Sequence, residues 1–433
     1  MFNSLNQHYV QPIRSFNRPA RLFLLMTIID GVILSGWQLF FNFYMLQSGW
    51  TRDFLGLVNS MPSAAGLVFG ILAGRVSDRI GRKASIIIGI TFASLFMMAQ
   101  ITFHQPVIIA ASAFFTGMFN MLFIVSQAPL MMKLSDKENR TMLFSLNYGL
   151  QTISGAVGSL FAGQLPAVFG AMLNVSEHSA VAYQAVLITS VLLGTTSLIP
   201  IWLMKEPQTA PQPRTESGSP SIKPSSGLTA LTVKMALPNI LIGFGAAILI
   251  PYMNVFFKDK FDISDALLGL LFSLSSLMIG VGSILAPRLS TRVGGKVKAV
   301  VVTQFGSLVF LLMIGFLPLL WLSSIAFLLR TTLMNMAAPL YSAFCMEHTP
   351  EHRQGFVNSI LNLSWNIGWA IGPYVSGVVQ ERYGFTPLFI ATAILYFLAV
   401  TLTWNFFVRM ESHLQEASPL EPIPAPLPPS APE

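Results

Sequence analysis

Long apolar runs alternate with short polar breaks along almost the whole chain. Twelve runs are long enough to cross a bilayer, whose core of about 30 Å needs about 20 helical residues. In the first half they lie near 22–46, 53–75, 84–104, 106–132, 141–168 and 181–204. In the second they lie near 234–257, 266–287, 298–318, 320–346, 355–379 and 385–408. Several breaks are only a few residues long, so neighbouring helices must run antiparallel. The pattern predicts an all-α polytopic membrane protein with twelve transmembrane helices. Its expected parts are a six-helix bundle over 1–204, a cytoplasmic linker over 205–233, a second bundle over 234–410 and a tail over 411–433. The linker carries Pro207, Pro211, Pro213, Pro220 and Pro224 among Ser, Thr and Gln, and the tail is also proline-rich, so both are expected to be unstructured.

Charge gives the direction of the spans. If the N-terminus is cytoplasmic, twenty of the 25 Lys and Arg residues fall in inner segments. The outer loops hold only Arg52, Lys258, Lys260 and Arg382, and Arg330 lies inside a span. The positive-inside rule therefore puts both termini in the cytoplasm, in a plasma (inner) membrane. Composition agrees: 53% of residues are apolar and 10% charged, against about 25% charged in soluble domains. The net charge of +7 does not indicate nucleic acid, because the cations are spread over the breaks rather than gathered on one face. The polar first 20 residues and the long run after them exclude a signal-peptide core, so no cleavable leader is expected. A single cysteine, Cys345, excludes an intrachain disulfide.

The halves repeat each other. Leu72–Lys83 aligns with Leu285–Lys296 at an offset of 213, and Leu55-Gly56-Leu57 meets Leu268-Gly269-Leu270 at the same offset. Ala128-Pro129-Leu130 meets Ala338-Pro339-Leu340 at 210, Gly158 and Gly163 meet Gly372 and Gly377 at 214, and Asn42 meets Asn254 at 212. Each half has an even number of spans, so a pseudo-two-fold axis along the membrane normal is expected.

The break between spans two and three, Gly74-x-x-x-Asp78-Arg79-x-Gly81-Arg82-Lys83, has a physical reading. Gly74 would let two helices cross closely. Asp78 could meet an arginine or a helix N-terminus. Gly81 would allow a tight turn, and Arg82 and Lys83 would hold the loop at the cytoplasmic surface. Arg79, Arg82 and Lys83 could also serve only as topology determinants. The motif resembles the signature loop of the major facilitator superfamily, as do the twelve spans, the six-plus-six repeat and the central linker. The resemblance implies a secondary transporter in which helices 1, 4, 7 and 10 line a central cavity. It also implies that Asp78 and Arg79 belong to a cytoplasmic latch stabilising the outward-facing state. The second copy has Thr291 in place of Asp78 and Gly295 in place of Arg82, so its latch should be weak.

Two charged residues lie deep in the spans, Asp30 in the first and Arg330 in the tenth. A charge there costs about 2.5–3.5 kcal/mol on insertion scales, so each needs a reason. Counted at about 1.5 Å per residue from Arg21 and Trp321, each lies about 13 Å deep, near the midplane. Asp30 is expected to carry a proton or meet a cationic group, and Arg330 to tune it or hold an anionic group. A purely structural Asp30–Arg330 pair is the alternative. Trp37 and Phe41 share the face of Asp30, with Ser35, Gln38 and Asn42 on an adjoining arc. Asn120 and Gln127 share a face of the fourth span, Tyr341 continues the Arg330 stripe, and Asn254 echoes Asn42. These residues are solute-contact candidates, with helix packing as the alternative for each.

The expected function is alternating-access transport of a small molecule, with protons as the coupling ion and the chain acting as a monomer. The aromatic- and Met-rich spans favour efflux of amphiphilic compounds over uptake of a polar metabolite. A non-transporting sensor or scaffold is the rival of another class. Drug/proton antiporters of the resembled family carry Gly-Pro in the fifth span, whereas here Gly372-Pro373 stands in the eleventh. No phosphate-binding Gly-x-x-x-x-Gly-Lys-Ser/Thr loop, no intramembrane acid–histidine cluster and no cofactor motif is present, so ATPase and enzyme readings are excluded. The acidic and histidine residues of 347–352 are interrupted by Pro350, so no metal site is expected. Asn174-Val175-Ser176 is a glycosylation sequon with meaning only in a secretory-pathway cell.

Overall fold

A computed structural model describes residues 16–136, 139–205, 230–408 and 410–411. Most of the expected linker and nearly all of the tail lie outside these residues. The described chain forms twelve long helical segments and no strand. In the first half these are α1 (Arg18–Gln47), α2 (Arg52–Ile80), α3 (Arg82–Thr102), α4 (Pro106–Leu134), α5 (Arg140–Leu173) and α6 (Ala180–Leu203). In the second they are α7 (Ala230–Phe261), α8 (Asp265–Val293), α9 (Lys296–Phe316), α10 (Leu320–Glu347), α11 (Glu351–Tyr383) and α12 (Thr386–Val408).

The helices run past the apolar stretches into polar end turns, a few of which are capped by side chains. Asn17 accepts the Ala20 N–H at 2.9 Å at the start of α1, and Ser264 accepts the Leu267 N–H at 3.3 Å at the start of α8. Gly81 takes a φ of 93° in the one-residue turn from α2 to α3, which only glycine adopts freely. Eleven of the twelve segments are apolar enough to count as spans by composition alone. The twelfth, α11, carries Asn358, Asn362, Asn366, Trp365 and Trp369 in its middle. Large apolar side chains such as Ile71, Trp202 and Ile284 are more than 70% exposed, as expected of a lipid-facing surface.

The two ends of the bundle are built differently. The end that holds Arg79, Arg82, Lys83 and Lys296 is here called the basic end, and the other the far end. At the far end one buried cluster takes Leu39, Phe40 and Tyr183 from the first half and Tyr252, Phe256 and Phe389 from the second. At the basic end each half keeps its own core, with Phe23, Ile86 and Leu130 in one and Val300, Phe344 and Phe407 in the other.

The sequence repeat reappears as contacts in the far seam. Gly56 of α2 faces Gly377 of α11, and Gly269 of α8 faces Gly163 of α5. These are the same contact repeated by the pseudo-two-fold axis. An added Cβ would stand 3.1 Å from the Gly377 Cα at Gly56 and 2.7 Å from the Gly163 Cα at Gly269. Only glycine lets the backbones approach this closely. Asn42 and Asn254 meet each other: the Asn42 Nδ2 donates to the Asn254 Oδ1 at 3.0 Å.

Candidate functional site

A cavity of about 680 Å³ lies almost wholly in the second half. It is walled by α7, α8, α10 and α11, with Gln304 from α9, Tyr396 and Thr403 from α12, and Gln38 as the one contribution of the first half among the described residues. Arg330 sits in its wall, 5% exposed. Its Nη2 donates to the Tyr396 hydroxyl at 2.7 Å, with the guanidinium carbon 5.8 Å from that ring's centroid. Tyr341 also lines the cavity and is tied to α7, its hydroxyl donating to the Met235 carbonyl at 2.7 Å. Three cavity-lining residues keep a buried polar atom without a partner: Arg330 Nε, Gln304 Oε1 and Trp369 Nε1.

Asp30 does not line this cavity. Its carboxylate has no hydrogen bond or ion pair among the described residues, so the Asp30–Arg330 pair considered from sequence is absent. The lengths of the helices explain this. With helix ends taken as level, Asp30 lies 17 residues from the far end of α1, about 26 Å at 1.5 Å per residue. Arg330 lies 10 residues from the far end of α10, about 15 Å. On this count the acid is about 11 Å, or two turns, nearer the basic end, so the two charges do not share the midplane depth expected from the apolar boundaries.

The other candidates separate into groups. Trp37 stacks on Phe41 at 4.7 Å between centroids and packs against the far-end core. Asn42 also donates to the Pro251 carbonyl at 2.6 Å and accepts from Asn59 at 3.1 Å, while Asn254 donates to the Leu39 carbonyl at 2.8 Å. Both asparagines are buried in the seam rather than placed in the cavity. Asn120 is exposed and Gln127 half-buried, and neither lines the cavity or makes a hydrogen bond among the described residues. The fourth helix thus adds nothing to the cavity wall, which α8 and α11 complete instead. The amides and indoles of α11 fall on one face at four-residue spacing, as Asn358, Asn362 and Asn366 with Trp365 and Trp369. That periodicity was the signal available in the sequence.

A polar network missed from sequence seals the far end. Asp265, 3% exposed, accepts from Lys258 at 2.8 Å within its own half and from the Tyr183 hydroxyl at 3.0 Å across the seam. The His178 Nδ1 lies 3.2 Å from the same carboxylate. On the pseudo-symmetric seam Arg52 pairs with Asp259 at 2.7 Å, and its backbone N–H donates to Glu381 at 2.8 Å.

At the basic end the signature loop is engaged within its own half. Asp78 pairs with Arg82, which also donates to Ser77 at 2.7 Å. Lys83 donates to the Trp202 carbonyl at 3.0 Å, tying α3 to α6. Gly74, expected at a close crossing, has nothing within 4 Å of an added Cβ, because the halves are apart at this level. In the second copy the missing arginine makes room for another contact. An added Cβ at Gly295 would strike the Glu411 carboxylate, which accepts the backbone N–H groups of Lys296 at 2.7 Å and Val297 at 3.0 Å.

A family model described as the Major Facilitator Superfamily matches residues 23–235 and 235–431. Among curated proteins, the chain is 26% identical over 198 residues to the multidrug resistance protein MdtG of Salmonella typhimurium. That match covers 44% of this chain and 47% of the relative, so it spans about half the length of the protein it resembles. Among solved structures, a mutant form of the nucleoside transporter NupG superposes with a TM-score of 0.72 at 16% identity, covering 90% of this chain and 99% of that one. A bacterial homologue of the human lysosomal transporter Spinster, in an inward-facing and occupied conformation, gives 0.71 at 13% identity over 91% and 99%. A D-xylose–proton symporter gives 0.67 at 13% identity over 90% and 98%. At these identities the solved structures establish the fold alone.

Proposed function

The chain belongs to the major facilitator superfamily, and on that footing we propose that it is a proton-coupled secondary transporter that exports amphiphilic compounds by alternating access. It is a multi-pass membrane transporter and not an enzyme. The observation that carries the mechanism is the contrast between its ends, a shared core at the far end and two separate cores at the basic end. The excess of Lys and Arg supports a cytoplasmic basic end in an inner membrane. The conformation is then inward-open, and transport requires the far seam to part while the basic end closes. Gly74 faces open space and Asp78 is held by Arg82, in keeping with a latch that engages only in the opposite state.

Within this cycle Asp30 is the proposed proton site and Arg330 the proposed substrate site. Asp30 is the one acid deep in the spans and is unpaired among the described residues, so a proton can neutralise it without breaking a bond. Export is supported by the partial likeness to MdtG. Uptake or exchange of a polar metabolite is the second reading, favoured by the amides of Asn239, Asn335, Asn358 and Asn362 around the cavity.

Flux tests the proposal. Purified protein in proteoliposomes is offered a panel of fluorescent amphiphiles of both charges, with and without an imposed proton gradient. The expected result is saturable flux accelerated by the gradient. Saturable binding without flux would instead identify a sensor or scaffold, and flux indifferent to the gradient would remove the coupling role.

A further inference from the structure

The cavity has an unbalanced charge. Among the described residues, Arg330 is the only Lys, Arg, Asp or Glu in its wall. The guanidinium is nearly fully buried, its one hydrogen-bond partner is the neutral Tyr396 hydroxyl, and its Nε has none. A buried cation without a counter-ion is costly, and arginine cannot relieve that cost by losing a proton. A lysine or an acid at this position could neutralise itself, but this side chain needs an anion from elsewhere, and no described side chain in the wall supplies one.

Two further unsatisfied atoms in the wall are the Gln304 Oε1, which needs a donor, and the Trp369 Nε1, which needs an acceptor. Between these polar points the wall is aromatic. Trp365 and Trp369 lie 6.2 Å apart on α11, and Phe272 and Phe327 lie 5.5 Å apart across α8 and α10. Flat π-faces suit a ring-bearing apolar body. The volume of about 680 Å³ is within the usual range for small-molecule sites.

We propose that this cavity binds an organic anion, a carboxylate, sulfonate or phosphonate carried on an aromatic or similarly flat apolar body, with Arg330 as its charge partner. The assignment rests on the transporter reading and names the substrate class of its site. The anionic head supplies the missing counter-charge and the ring lies against the α11 indoles. Organic cations are disfavoured, because entering this wall would place a second positive charge beside Arg330 with no acid to offset it.

Three matched probes test the assignment: 2-naphthoate, its neutral carboxamide and 2-naphthylmethylammonium. Binding to the full-length protein in neutral detergent is read by calorimetry and by the shift in unfolding temperature. The naphthoate is expected to bind at least tenfold more tightly than either isostere. Arg330→Gln is expected to abolish that preference and Arg330→Lys to retain its order. Trp369→Phe should weaken the anion a few-fold without changing the order, and it carries the test with the lysine variant if Arg330→Gln fails to fold. Equal or tighter binding of the ammonium, an anion preference that survives Arg330→Gln, or no naphthoate binding at millimolar concentration would overturn the assignment. Binding is read without a membrane gradient, so the two claims can fail separately. A protein that binds naphthoate in this order but moves nothing keeps the site and loses the transport reading. One that moves only cations keeps transport and loses this assignment.

Discussion

The two halves are copies in backbone and opposites in chemistry. Gly56 and Gly269, and Gly377 and Gly163, occupy matching places and make matching contacts. The charged positions do not match. Arg330 falls opposite Asn120, and Asp30 has no acidic counterpart near Ile242–Gly243. The second half encloses the cavity, to which the first contributes only Gln38 among the described residues. Even the seam is charge-inverted: Arg52 heads α2 and Asp265 heads α8, at the offset of 213. Close backbone packing needs the same small residues on both sides of the axis, so it preserves the repeat. On the proposed function, a site for an asymmetric solute and a coupling proton needs different groups on the two sides, which would break the repeat.

The charge-inverted pair gives the largest expected difference. Asp265→Asn leaves Lys258 without its buried partner and removes the charge that holds Tyr183 and His178 across the seam. A loss of about 3 kcal/mol is expected. Its mate Arg52→Gln breaks a partly exposed pair and should cost under about 1 kcal/mol. Unfolding temperatures of the two variants check this, and equal shifts would remove the asymmetry between the seams.

The glycine contacts should behave alike instead. Gly56→Leu and Gly269→Leu each overpack a helix crossing, at about 1–3 kcal/mol, which moves the closed far end by about fivefold to 150-fold. Spin-label distances across the far end should lengthen in both variants. The buried native Cys345 offers little competition for labelling. A response confined to one variant would show that the two crossings are not equivalent.

The smallest contrast is expected on the axis itself. Removing the Asn42–Asn254 hydrogen bond should give a coupling of about 1 kcal/mol in a double-mutant cycle with alanine. A coupling near zero would mean that their backbone contacts to Pro251 and Leu39 hold the seam alone.

These contrasts also show what the sequence could and could not carry. Spans, halves and the repeat follow from apolar periodicity and fixed offsets, because both are properties of the chain itself. The same offsets picked out Gly56 with Gly269 and Asn42 with Asn254, but not that the first are crossing sites and the second partners. Whether a polar residue on a helix faces a cavity or a neighbouring helix depends on how helices distant in sequence are rotated against each other. Gln38 and Asn42 are one turn apart on α1, yet one meets the cavity and the other the seam. The depth of Asp30 was misjudged because the apolar run is shorter than the helix that contains it. The α11 stripe was readable at four-residue spacing, but the chain alone does not say whether such a stripe faces a cavity or a neighbouring helix.

The central claim is a division of labour, with the first half carrying the proposed coupling acid and the second the proposed substrate-binding arginine. Its most direct test measures 2-naphthoate transport in proteoliposomes in two modes, accumulation driven by a proton gradient and counterflow at equal pH. Asp30→Asn is expected to keep counterflow and lose accumulation, while Arg330→Gln loses both. Accumulation at the unmodified protein's level in Asp30→Asn, or naphthoate counterflow that persists in Arg330→Gln, would contradict it.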